Sequence, residues 1–386
     1  MAEIRDAAPF AIFYAALFLA LGVLLPFWPV FLEYRGLTGA QIGVVLALGT
    51  WAKALGNPAL GRLADASARP RLVLIGLAAL ALLGTCLVPL ADSFWTLLAT
   101  YVLIFSAFQA LIPLGDSRAL AVAAARNLDY GRMRLWGSLA FLIAVLGMGE
   151  ILDARGPHLL PPVLVAAFVA LLITAAFLPE PKRQSRESAR SVGFAKLLRD
   201  RYFTVFLLVG ALLQASHAVY YGFSAVHWTA AGLSPATVGW LWAEGVIAEI
   251  LLFAVSNRVV GRVGPIGLLG LAAAGGVIRW SVLAGTTALP ALAAIQVLHA
   301  VTFGAAHLGA MHFIARQAPE GAKATAQGVY TAAAGGVGMG IAMLGAGALY
   351  DAVAGKAFLA MAVMSLLAGA LTMAITRIGR LTGRAA

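Results

Sequence analysis

The chain has 386 residues, a mean hydropathy of +0.92 and only 11% charged residues, against about 25% in ordinary soluble domains. A water-facing surface cannot be built from that composition, so a soluble enzyme or receptor domain is excluded and an integral membrane protein is indicated. The net charge of +11 raises nucleic acid as a partner, but the placement of the basic residues along the chain argues against it.

Twelve apolar runs of membrane-crossing length follow one another, near residues 9–33, 39–61, 71–91, 94–117, 133–152, 158–178, 202–228, 235–257, 265–285, 289–314, 324–349 and 355–376. No strand-like alternation competes with them, so the expected fold is an all-α membrane protein with twelve transmembrane helices rather than a barrel. The first run follows "MAEIRDAAPF", which has no basic cluster and no small-residue cleavage site after the apolar stretch, and is expected to be a retained span. The second carries Gly49, Lys53 and Asn57 at steps of four, which places a lysine near mid-membrane. The fourth shows Tyr101, Phe105, Gln109, Ile112 and Asp116 on one helical face. The fifth opens with "LDYGRMRLWGSLAF" (128–141), where Asp129, Arg132 and Arg134 stand directly against the apolar run.

The longest polar stretch, "EPKRQSRESARSVGFAKLLRD" (180–200), divides the chain into an N-terminal six-helix bundle (1–178), a central cytoplasmic loop (179–201) and a C-terminal six-helix bundle (202–386). The seventh run repeats the striped pattern with Gln214, His217, Tyr221, Ser224 and Trp228. The eighth holds Glu244 and Glu249, five residues apart and so about 140° apart around a helix. The ninth holds Arg279 at mid-span, and the tenth a stripe of Gln296, His299, Phe303 and His307. A lipid-facing surface would not hold amides and imidazoles, so three such faces indicate a shared polar cavity with aromatic walls. Ionisable groups inside a membrane are costly and mark function by default. His227 and His312 are read as structural.

If the N-terminus is cytoplasmic, 22 Lys and Arg fall on the cytoplasmic side and three, Arg35, Arg155 and Lys356, on the other. Lys53 and Arg279 remain, deep inside spans. This positive-inside asymmetry sets both termini in the cytoplasm and accounts for the basic charge without nucleic acid. The two halves also resemble each other. "GLTGAQIGVVLALG" (36–49) and "GLSPATVGWLWAEG" (232–245) match at a shift of 196 residues, with glycines at 36/232, 43/239 and 49/245, and the same shift sets Lys53 on Glu249. Parallel six-helix repeats point to a carrier that rocks about a midplane site. The single cysteine, Cys86, excludes an internal disulfide and a cysteine-based metal site. No nucleophile–base pair or metal cluster stands out, so no cofactor, metal or enzymatic activity is expected.

Several stretches resemble the major facilitator superfamily. "GRLADASARPRLVL" (61–74) is similar to the superfamily's loop between helices 2 and 3, with Gly61, Leu63, Asp65, Arg69 and Arg71 filling the pattern and Ala66 standing where a basic residue is usual. The expected role is a gating charge clamp. "LDYGRMRLWGSLAF", "HAVYYGFSAVHW" (217–228), "GLSPATVGWLW" (232–242) and "RWSVLAGTTALPALAAIQVLHAVTFGAAHLGAM" (279–311) together resemble the phenylpropionate permease family. More distantly, Gly131-Arg132-Met133-Arg134-Leu135-Trp136-Gly137 resembles the helix 5 opening of lactose permease-like proton symporters. There the second arginine pairs with a helix 4 acid and binds substrate, which corresponds here to Arg134 and Asp116. The same resemblance sets a helix 9 arginine on Arg279, a helix 10 histidine on His299 and a helix 8 glutamate on Glu244. It departs at Gln296, where that branch has lysine, and at Thr302, where it has a coupling acid.

The resemblance implies a functional monomer in the bacterial inner membrane that takes up a small aromatic carboxylate with protons by alternating access. Sugar or nucleoside symport is the alternative, drug efflux ranks third, and a non-transporting sensor or scaffold is the reading from another class. Substrate contacts are expected from Asp116, Arg134, Tyr101, Phe105, Gln109, His217, Tyr221 and Trp228. Proton coupling or charge relay is expected from Glu244, Glu249, Lys53, Arg279, His299 and His307.

Overall fold

The computed structural model describes residues 2–67, 69–126, 128–179, 194–319 and 322–381, and among them the ordered elements are all helical. The chain divides into two compact units, Met1–Ser185 with Gly232–Trp240, and Arg186–Ala231 with Leu241–Ala386. Positions 180–193 of the expected central loop lie outside the described residues.

The first unit holds α1 (Ala2–Tyr34), α2 (Gly39–Ala66), α3 (Pro70–Leu87), α4 (Phe94–Arg126), α5 (Tyr130–Arg155) and α6 (Leu160–Ala176). Helix α1 lies along α5 and α6, α2 packs on α4, and α3 fits against α4 and α6. The connections follow ordinary capping chemistry. Gly36, at φ 82°, supplies the left-handed turn that ends α1. Thr38 and Gln41 then form a reciprocal capping box at the start of α2. Asp129 caps α5, its carboxylate accepting from the Arg132 amide. Helix α5 therefore begins three residues before the predicted run, because a cap closes a helix in water, outside the apolar stretch.

Close packing in this unit depends on small residues. A Cβ at Gly22 of α1 would lie 2.8 Å from the Phe141 carbonyl oxygen and 2.8 Å from the Ala144 Cβ of α5. Backbone cannot swing aside, so Gly22→Val is expected to push the helices apart and cost about 1–3 kcal/mol. Thermal unfolding in detergent, with Gly76→Val as control, checks this; nothing lies within 4 Å of a Cβ at Gly76.

The second unit begins with a short helix, α7 (Phe194–Arg199), after which Asp200 caps α8 (Arg201–Ala215) through the Tyr202 amide. It continues through α9 (Ala218–Ala230), α10 (Pro235–Ala254, shared with the first unit), α11 (Ser256–Gly285), α12 (Leu289–Gln296), α13 (Ala306–Gln317), α14 (Lys323–Tyr330), α15 (Met339–Val353) and α16 (Phe358–Leu381). Gly232, at φ 92°, repeats the turn made by Gly36, which gives the matched glycines a common conformational reason. Helix α11 packs against α13 and α16, α8 against α16, and α9 against α15.

Three predicted spans of this unit are single crossings made of broken helices. The seventh is α8 plus α9, interrupted at Ser216–His217. The tenth is α12 plus α13, joined through a π-helical segment, Ala300–Ala305. The eleventh is α14 plus α15, joined through a second one, Thr331–Gly338. Helix α11 is also kinked at Gly264, at φ 72°, immediately before Pro265. By length and composition alone ten helical stretches qualify as spans among the described residues; the last, Thr325–Leu381, holds two crossings separated at the turn Ala354–Ala357. The remaining crossing is α2, as long as the others but carrying Lys53, Asn57, Arg62 and Asp65. The molecule is a twelve-helix membrane protein of two six-helix bundles.

Candidate functional site

Among the described residues, each unit holds a polar cluster within its helical packing. In the first, Asp116 of α4 meets Arg134 of α5, with Arg134 Nε 3.6 Å from Asp116 Oδ1 and both side chains 28% exposed. Two phenols complete it. Tyr14 of α1 donates to Asp116 Oδ1 at 2.7 Å, and Tyr130 of α5 donates to the same oxygen at 3.0 Å. The guanidinium lies over the Phe18 ring of α1 at 3.9 Å, a cation–π contact.

Arg132, by contrast, is exposed and pairs with Asp129 at 3.6 Å. Two residues along a helix are about 200° apart, so one arginine of the motif faces water while the other enters the bundle. Further along α4, Tyr101 and Phe105 stack at 5.1 Å, and Trp28 of α1 stacks on Tyr101 at 5.5 Å. Gly49 of α2 makes room for the Tyr101 ring. Gln109 is buried on α4. Lys53 is half-buried on α2, and among the described residues no carboxylate pairs with it.

The second cluster is built around Arg279, which is fully buried. Its Nη2 donates to Gln296 Oε1 at 2.8 Å, and its Nη1 donates to Thr302 Oγ1 at 2.9 Å and to His299 Nδ1 at 3.1 Å. The guanidinium also lies over Tyr220 at 4.4 Å and Trp280 at 4.7 Å. Arginine has only donors, so these contacts assign the protons around it. His299 accepts at Nδ1 and therefore carries its proton on Nε2, which points to Glu249 Oε2 at 3.5 Å. Thr302 accepts from Arg279 and is free to donate to His217 Nε2 at 3.3 Å. His217 Nδ1 donates in turn to the Leu213 carbonyl at 2.9 Å. Gln296, its oxygen taken by Arg279, donates to the Tyr220 hydroxyl at 3.0 Å and the Leu241 carbonyl at 3.1 Å. Three branches thus leave one arginine: two run on through hydrogen bonds from Thr302 and Gln296, and the third, through His299, faces a carboxylate at 3.5 Å.

Broken helices make this convergence possible. Through 295–301 the backbone is tightened, with Leu298 N–H bonded to Ile295, Ala300 to Val297 and Val301 to Leu298. Such i→i+3 turns nearly eclipse every third residue, so Gln296, His299 and Thr302 all reach Arg279. In the seventh span, His217 N–H bonds to Gln214 instead of Leu213, which leaves the Leu213 carbonyl to the His217 imidazole and the Ser216 hydroxyl. Near-parallel rings follow along the tenth span: His299 on Phe303 at 5.4 Å and Phe303 on His307 at 6.3 Å. Glu249 interacts electrostatically with His307 as well, and His307 is exposed. Gly245 packs against the His299 Cβ, as its repeat partner Gly49 packs against Tyr101.

The structure brings Asp116 and Arg134 together, and likewise Arg279, His299, His217 and Glu249. Tyr221 stacks on His217 at 5.5 Å, while Trp228 is enclosed with its ring edge-on to Tyr220. Glu244 is half-buried, apart from the Arg279 hydrogen bonds. Of the gating loop, the Asp65 side chain lies outside the described residues; Arg69 is exposed, its amide bonded to Ser67 Oγ at 3.1 Å, and Arg71 follows half-buried in α3. Sequence reasoning missed Tyr14, Phe18, Tyr130 and Tyr220 as members of the clusters. Tyr14 and Phe18 are spaced i, i+4 on the first span, a signal hidden because almost every neighbour there is apolar.

Comparison with known proteins agrees with this architecture. Residues 8–360 match the MFS_1 like family. A probable 3-phenylpropionic acid transporter of Escherichia coli (strain K12) is 36% identical over 92% of this chain and 94% of its own length. A maltose permease of Geobacillus stearothermophilus is 30% identical over 89% of this chain and 87% of its own. Among solved structures, the nucleoside transporter NupG superposes with a TM-score of 0.86 at 16% identity, covering 96% of this chain and 98% of that one, a likeness of fold. The chain belongs to the MFS_1 like family, and so to the membrane transporters of the major facilitator superfamily.

Proposed function

We propose that this transporter takes up a small aromatic carboxylate, phenylpropionate-like, together with protons, across the bacterial inner membrane with both termini cytoplasmic. The observation that carries this reading is Arg134, a guanidinium held on an aromatic ring beside Asp116 with only one loose ion-pair contact. Its terminal nitrogens suit a carboxylate head, and the Trp28–Tyr101–Phe105 stack offers an aromatic wall for a ring. The second unit supplies the proton relay. Glu249 takes and gives the proton, His299 transmits its state to Arg279, and His307 stands on the exposed side of the same ring ladder. Arg69 and Arg71, with Asp65, form the gating clamp of alternating access. The 36% identical relative supports the substrate class.

A second reading, sugar or nucleoside symport, is favoured by the maltose permease relative and by Asp116, whose Oδ2 is an open acceptor suited to a hydroxyl. Proteoliposome uptake separates the two. Labelled 3-phenylpropionate is expected to accumulate inside vesicles when an inward proton gradient is imposed, without competition from excess maltose or uridine. Uptake that ignores the gradient removes the coupling, and the absence of phenylpropionate uptake removes the substrate assignment.

A further inference from the structure

Tyr14 and Tyr130 come from different helices and donate to one and the same oxygen, Asp116 Oδ1, at 2.7 and 3.0 Å. Arg134 reaches that oxygen only through Nε, at 3.6 Å, too long for a hydrogen bond. A carboxylate and a guanidinium on adjacent helices ordinarily close into a two-pronged fork. Here they do not. The phenols saturate the near oxygen, and the guanidinium carbon sits 3.9 Å from the Phe18 ring centre and 5.2 Å from that of Tyr14. Among the described residues Nη1 and Nη2 of Arg134 make no hydrogen bond.

We propose that Tyr14 and Tyr130 are positioning residues that solvate the Asp116 carboxylate and so hold it off Arg134, keeping the terminal nitrogens of that arginine available to an anionic substrate. The inference rests on the proposed reading that Arg134 takes the substrate's carboxylate. The phenols contribute no net charge, yet they decide whether the arginine's charge is spent on its neighbour or offered to the ligand. Without them, Asp116 has only Arg134 to satisfy it, and the fork closes. The aromatic rings are not the operative part, since Phe keeps them.

The test compares wild type, Tyr130→Phe, Tyr14→Phe/Tyr130→Phe, and that pair combined with Asp116→Asn, in purified full-length protein. Arg134 is labelled with phenylglyoxal and quantified by peptide mass spectrometry. Arg132, with its side chain 88% exposed, serves as the reference in the same segment. The double variant is expected to lower Arg134 labelling relative to Arg132 about fivefold as the carboxylate closes on it. Tyr130→Phe alone, which alters only the half-buried phenol, gives an intermediate drop. Adding Asp116→Asn removes the competing charge and restores labelling, which a merely structural loss would not do. In vesicles, the double variant raises the KM for phenylpropionate and leaves the maximal rate near wild type. Unchanged labelling in both Phe variants overturns the proposal, as does a drop that Asp116→Asn fails to reverse. The labelling needs no substrate, so a wild type that ignores phenylpropionate while its labelling follows the expected order refutes the substrate reading and leaves the positioning role standing.

Discussion

Arg279→Lys is expected to abolish transport although it preserves the charge. A lysine presents three donors from one point, whereas Arg279 spans Gln296 with one terminal nitrogen and Thr302 with His299 through the other. The shorter, non-planar head also loses its seat over Tyr220 and Trp280. With the fork gone, His299 Nδ1 no longer has an obligate donor, its tautomer is released, and the link to Glu249 is lost. Arg279→Ala goes further. It opens a cavity in a fully buried position and strips partners from three polar groups, a cost on the order of 3–5 kcal/mol. Thermal unfolding in detergent and gradient-driven uptake, measured on both variants, separate the effects: lysine is expected to keep most of the stability and lose the flux, alanine to lose both. Wild-type flux in the lysine variant would show that the cluster is a packing device.

Glu249→Gln is expected to uncouple the carrier without dismantling it. A glutamine oxygen can stand where the Glu249 oxygen faces His299 Nε2, so the cluster around Arg279 keeps its geometry while the site that exchanges a proton disappears. For a carboxylate carried with one proton, a gradient of one pH unit drives about tenfold accumulation. Glu249→Gln should bring that ratio to about one, with substrate exchange between the two sides preserved. Wild-type accumulation in this variant would move the coupling site to Glu244 or Asp116.

Much of this was legible in the residues because membranes impose simple rules. The twelve crossings follow from hydropathy, which acts without reference to any partner. The pairing of Asp116 with Arg134 was also legible, as what the resemblance to lactose permease-like symporters implied, and the two side chains do meet. The same rules failed where the helices do. A 3.6-residue period assigns Gln296, His299, Phe303 and His307 to one stripe and leaves Thr302 off it, but the tight turns at 295–301 rotate Thr302 onto Arg279 beside His299. In the seventh span, broken at Ser216–His217, Tyr220 lies off the predicted stripe and yet receives the hydrogen bond from Gln296.

Sequence by itself determined the membrane class, the two repeated bundles and the inward-facing charges, because each is set by local periodicity or solvation cost. Only the tertiary structure decided which groups complete each charge. Tyr14 joins Asp116 across 102 residues and His217 joins Thr302 across 85. A buried donor takes whichever acceptor the packing of separate helices brings within about 3 Å.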